Sequence, residues 1–151
     1  MMLDKVKSFI GKMLNESETL TDLSNDIQLA AALLLVEVMN ADDKIDERER
    51  NAVQTGLKNI FEMTDEKTRA VFEIAENRAK DVIPLQRYTS ILNKALEPEA
   101  KLKLLEQIWR VVFSDDEMDK YEESLVREIA ELLYIRHSDF IFARQRAKGE
   151  I

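Results

Sequence analysis

Cysteine is absent from this chain, and with it go disulfides, thiolate metal sites, cysteine nucleophiles and redox chemistry by the protein itself. Three glycines and two prolines in 151 residues are too few for long irregular linkers, so the segments must be long and regular. The single histidine, His137, has no neighbouring nucleophile to serve, which argues against a general base and for a surface or capping-region role. A Gly-rich phosphate loop, a nucleophile elbow and an H-E-x-x-H zinc motif are all missing. No apolar stretch approaches the roughly 20 residues that a membrane span needs. The start, Met1 to Leu14, interrupts its apolar residues with Lys5, Lys7 and Lys12 and lacks a small-residue cleavage site, so export is not expected and the cytoplasm is the expected compartment. Positive charge is also in deficit: a net charge of −8 opposes general nucleic-acid binding and makes cations or basic protein surfaces the natural counterparts.

What the chain does have is apolar residues recurring at helical spacing almost throughout, with no sustained alternating stretch to suggest a strand. The expected fold is all-α, a single-domain helical bundle of about seven to eight helices, large enough to bury roughly 70% of its unfolded surface. Residues 1–25 read as an N-terminal amphipathic helix (Leu3 to Leu14, with Val6, Phe9, Ile10 and Met13 on one face) followed by a polar connection from Asn15 to Asn25. Residues 26–151 read as the domain proper. Its helices are expected at about Asp26–Asn40, central and buried because it is apolar on nearly every side apart from Glu37, then Glu47–Phe61 and Asp65–Lys80 behind a Thr64 cap. Pro84 and Pro98 suit the first turns of two more, ending at Ala95 and Phe113. A further helix covers Lys120–Leu133, and the last follows Ser138 and ends near Gly149. Trp109 is expected in the core. The basic residues Arg136, Arg144, Arg146 and Lys148 are expected on a solvated C-terminal helix.

The most informative feature is a repeat. Ala41-Asp42-Asp43-Lys44-Ile45-Asp46-Glu47-Arg48-Glu49 returns 73 residues later as Ser114-Asp115-Asp116-Glu117-Met118-Asp119-Lys120-Tyr121-Glu122. Each segment reads small-Asp-Asp-x-apolar-Asp-x-x-Glu, and the same offset aligns Leu35 with Ile108, Val38 with Val111 and Val53 with Val126. Two related helix–loop–helix units follow. Asp46 and Asp119 stand where helix N-caps belong, with Glu49 and Glu122 three residues on, the spacing of a capping box. Asp42 and Asp115 suit Asx turns, and Ile45 and Met118 are expected to pin each loop to the core. The alternative is that the same carboxylates offer oxygens to a hard divalent cation, calcium wanting about 6–8 of them. An EF-hand is excluded, because Lys44 occupies a ligand position and no glycine follows Asp46.

The run LLLVEVMNADDKID from Leu33 to Asp46 with Glu49, and LLEQIWRVVFSDDEMDKYEESLVREIAELL from Leu104 to Leu133, resemble the TerB tellurite-resistance family, to which the N-terminal domains of DjlA-type co-chaperones are related. The resemblance extends over roughly Asp26 to Ala147, taking in RYTSILNKAL from Arg87 and SDFIFARQRA from Ser138. Where the family usually has Asp-Gly, this chain has Asp42-Asp43 and Asp115-Asp116. The resemblance implies a helical bundle, a role in resistance to tellurite or related stress, and divalent-metal binding at acidic positions. Those positions are here Asp42, Asp46, Glu49, Asp115, Asp119 and Glu122. Direct reduction of tellurite is not implied, since it needs thiols or a redox cofactor. The expected function is therefore a non-enzymatic module binding a divalent cation, a protein partner, or both. A structural adaptor of the co-chaperone type without metal and a metal-dependent hydrolase are the alternatives. Docking of the N-terminal segment, on its own bundle, on another protein or weakly on a membrane surface, completes the expectations.

Overall fold

A computed structural model of the chain describes residues 16–41, 45–114 and 120–149, with side chains described from 25 onward and not at 120. The described residues form seven helices and no strand: α1 (Glu16–Asn40), α2 (Glu47–Phe61), α3 (Asp65–Arg78), α4 (Leu85–Ala95), α5 (Pro98–Phe113), α6 (Lys120–Leu132) and α7 (His137–Lys148).

The helix boundaries follow from local chemistry. Thr64 caps α3 by accepting a hydrogen bond from the Lys67 amide at 3.1 Å, and Pro98 opens α5, where a missing N–H costs nothing. Gly149 ends α7 at φ 78°, a left-handed turn that glycine makes without steric penalty. Two departures from expectation stand out. The polar stretch up to Asn25, expected as a connection, is helical from Glu16, and the expected border at residues 25 and 26 falls inside α1. Ser and Thr only mildly disfavour helix, no Gly or Pro interrupts them, and Leu20, Leu23 and Ile27 continue the spacing of the buried face. The last helix starts at His137, behind Arg136, and not after Ser138. The expected helix at Leu3 to Leu14 lies outside the described residues.

Helix α1 is the centre of the bundle, packing directly on α2, α3, α4, α5 and α6. Its residues Ala30 to Val36 are no more than 2% exposed, which is why its sequence is apolar on nearly every side. Helix α5 is the second axis. It lies along α1, α2 and α7, and its Trp109 is wholly buried, stacked on Phe113 at 5.5 Å and edge-on to Phe140 at 5.3 Å. Where α2 crosses α5, Gly56 permits a close approach, since a Cβ there would sit 3.2 Å from that of Gln107. The 73-residue repeat is visible in the helices themselves: Asn40 and Phe113 both end a helix, and Glu47 and Lys120 both begin one. It extends to a third helix, because α3 packs on α1 as α7 packs on α5. Helix α4 is the element between the two triplets.

Candidate functional site

In each triplet the acidic segment of the sequence follows the C-terminal end of the first helix. In the first, Ala41 closes α1 by donating its amide to the carbonyls of Glu37 (3.1 Å) and Val38 (3.2 Å). The chain re-enters helix at Asp46, whose carboxylate accepts from the Glu49 amide at 3.2 Å while the Asp46 amide reaches Glu49 Oε1 at 3.4 Å. The capping box expected from the spacing is therefore present. Ile45, expected to pin the loop, is 44% exposed. A staple would need an apolar residue one turn into α2, and Arg50 stands there, paired with Glu76 and lying over Phe72.

Asp46 has a second partner that the spacing did not reveal. Arg48 donates from Nη2 at 3.0 Å and from Nε at 3.3 Å to Asp46 Oδ2. That hydrogen bond, helped by the Glu49 amide, holds the Asp46 carboxyl below the usual range for aspartate. Its only signal in the sequence is an arginine two residues after a capping aspartate.

Of the six acidic candidates, Asp46, Glu49 and Glu122 lie within the described residues; Asp42, Asp115 and Asp119 do not, nor does Met118. The structure joins Asp46 to Glu49 through the capping box. It also reveals a property common to both repeats: Glu49 is 0% exposed and Glu122 1% exposed, each beside a wholly buried valine one turn on, Val53 and Val126. Charged side chains are almost never fully buried without compensation. In the second repeat Ser114 closes α5, its Oγ donating to the Val111 carbonyl at 2.7 Å. Among the described residues no group of three or more acidic or histidine side chains gathers closely enough to hold a metal ion.

A family model described as "Tellurite resistance protein TerB" matches residues 28–145. The chain belongs to the TerB family. No curated protein and no solved structure matches it. The TerB match runs from the buried half of α1 into α7 and so includes both acidic repeats. TerB is not a known enzyme family. Beside the first repeat lies a polar cleft of about 360 Å³ lined by Asn40, Glu76, Asn77, Ala79 and Lys80. His137 is exposed and stacks near Phe140 at 5.9 Å, in keeping with a surface role.

The basic residues of the last helix are engaged locally. Arg136 pairs with Asp139 at 3.4 Å and Arg146 with Glu106 at 2.9 Å. Arg144 stands over Trp109 and Phe113, and Lys148 over Phe113. Among the described residues, no helix of the TerB domain is long and apolar enough to cross a membrane.

Proposed function

We propose that this TerB domain is a non-enzymatic module that binds a divalent cation, calcium foremost, at its acidic repeats, and that the loaded repeats dock a protein partner in resistance to tellurite or related stress. The observation that supports this best is the burial of Glu49 and Glu122 at equivalent places in the two repeats. Burying a carboxylate is costly unless hydrogen bonds or a cation compensate; Glu49 Oε1 accepts from the Asp46 amide, and a carboxylate is buried at both positions. Each glutamate follows three aspartates in its loop segment, and hard cations take such oxygens at 2.3–2.6 Å for calcium as a general rule. A carboxylate has about four acceptor positions, so capping a helix and ligating a metal are compatible.

The test is calorimetry on chelator-treated protein with calcium, magnesium and manganese. Saturable heat together with a rise in thermal stability is the expected result, because a ligand that binds only the folded state stabilises it. Absence of both for all three cations would remove the metal from the reading. The capping box at Asp46 and Glu49 favours a second reading, an adaptor whose loops only cap helices. Partner capture that is indifferent to chelator would select it.

A further inference from the structure

A half-open cavity of about 130 Å³ lies between α1, α3 and α4, built from helices and not from the acidic repeats. Its walls are apolar: Leu29 and Leu33 from α1, Ile83 from the turn before α4, and Ile91 from α4. Three polar groups converge on it. Tyr88 is 5% exposed and lines the cavity, so its ring is part of the core. Arg78 and Arg87 stand at the rim with Asp26. Among the described residues, no hydrogen bond or ion pair engages the side chains of Arg78, Arg87 or Tyr88, whereas Asp26 has a partner.

In a chain with 30 acidic against 22 basic residues, two arginines at one cavity would be expected to find carboxylates. Burial, and then the charge of Glu37, hold the Tyr88 hydroxyl above its ordinary range, while Arg78 and Arg87 act in the opposite sense. The hydroxyl is thus protonated at neutral pH and can donate.

We propose that this cavity is a binding site for a small carboxylic acid with a compact apolar body. Arg78 and Arg87 hold the carboxylate at the rim, Tyr88 donates its hydroxyl to it, and the body lies against Leu29, Leu33, Ile83 and Ile91. Of the charged residues that line the cavity two are arginines and one is Asp26, while Glu37 and Asp81 act on Tyr88 from beyond the lining, and guanidinium geometry suits a carboxylate. Size limits the body, since an apolar cavity of about 150 Å³ holds one benzene ring, so roughly four to six carbons fit here.

The test uses the full chain in chelator, so that its outcome is independent of metal at the acidic repeats. Benzoate, the smaller isovalerate, and benzamide as the neutral analogue of benzoate are titrated while amide resonances are followed by NMR. The expected result is saturable shifts around Leu33 and Tyr88 with at least one of the two acids, and binding of benzamide about tenfold or more weaker than benzoate, the effect of a lost charge-assisted contact. Arg78→Gln with Arg87→Gln lowers acid affinity by about tenfold or more, and Tyr88→Phe by a smaller factor. Both arginines are exposed, so the double variant melts with the wild type. The proposal is overturned if neither acid saturates, if benzamide binds as well as benzoate, or if the double variant binds the acids as the wild type does.

Discussion

In the first acidic repeat the capping carboxylate, Asp46, is gripped by Arg48 from the same turn of helix at 3.0 Å. The residue 73 places beyond Arg48 is Tyr121, 65% exposed and without charge. The second repeat does have cations nearby, but Arg144 and Lys148 stand over the rings of Trp109 and Phe113. The two repeats share a helix boundary, a buried glutamate and a buried valine, and differ in where their positive charge goes. A divalent ion arriving at the first must compete with a guanidinium already bonded to a loop carboxylate. Beside the second, among the described residues, Arg144 and Lys148 are held on aromatic faces. If the repeats hold cations as proposed, this difference makes the second site the tighter.

The same comparison sets the expected sizes of several mutational effects. The largest is in the core. Trp109 of α5 stands where α1 has Val36, and both are wholly buried. Trp109→Ala should destabilise by about 3–5 kcal/mol in denaturant unfolding, and Val36→Ala by roughly 1–3 kcal/mol, because the cavity left is smaller. Equal costs would mean that the two helix axes are not packed as differently as their side chains indicate.

Next comes the α2–α5 crossing, where Gly56 has Ile129 as its counterpart in α6. Gly56→Ile makes the first repeat like the second at that point but drives a branched side chain into Gln107, for a loss of about 1–3 kcal/mol. An unchanged unfolding midpoint would show that the seam is loose.

Smaller again is the cap. Asp46→Ala in chelator removes the acceptor for the Glu49 amide and should lower the melting temperature by about 2–4 °C. Because Asp46 titrates lower in the folded than in the unfolded chain, its contribution is fully present above the unfolded value of about 3.9 and is lost as pH falls through the folded value. The gap between wild type and Asp46→Ala should therefore be constant near neutrality and close below about pH 4. A gap that widened on acidification would reverse the assigned sign. Smallest is Arg48→Ala, which removes the competing guanidinium. Calcium affinity at the first repeat should rise a few-fold, in line with the modest worth of an exposed ion pair, and the second repeat should not respond.

The helices from α2 to α7 were legible in the sequence because periodicity and punctuation agree there: Thr64, Pro98 and Gly149 stand at real ends, and Glu47 begins a real helix. The start of α1 was not, because its hydroxyl residues resemble a loop while the spacing of Leu20, Leu23 and Ile27 quietly continues the helix. The capping box was legible as a local spacing of side chain and backbone. The exposure of Ile45 was not, since a staple depends on what stands opposite, and Arg50 is committed to Glu76 and Phe72. The burial of Glu49 and Glu122 could not be read from residues that look like ordinary capping glutamates. The convergence of Arg78, Arg87 and Tyr88 carries no sequence motif, because it is made by the packing of α3 and α4 on α1.

The claim that the buried glutamates belong to two separate and unequal cation sites is tested most directly by calorimetric calcium titration of the wild type, Glu49→Gln and Glu122→Gln, all starting in chelator. Glutamine keeps the shape and removes the charge. Two components are expected for the wild type, with loss of the weaker one alone in Glu49→Gln and loss of the tighter one alone in Glu122→Gln. A wild type without saturable heat, one component lost in both variants, or both components kept in both would contradict it.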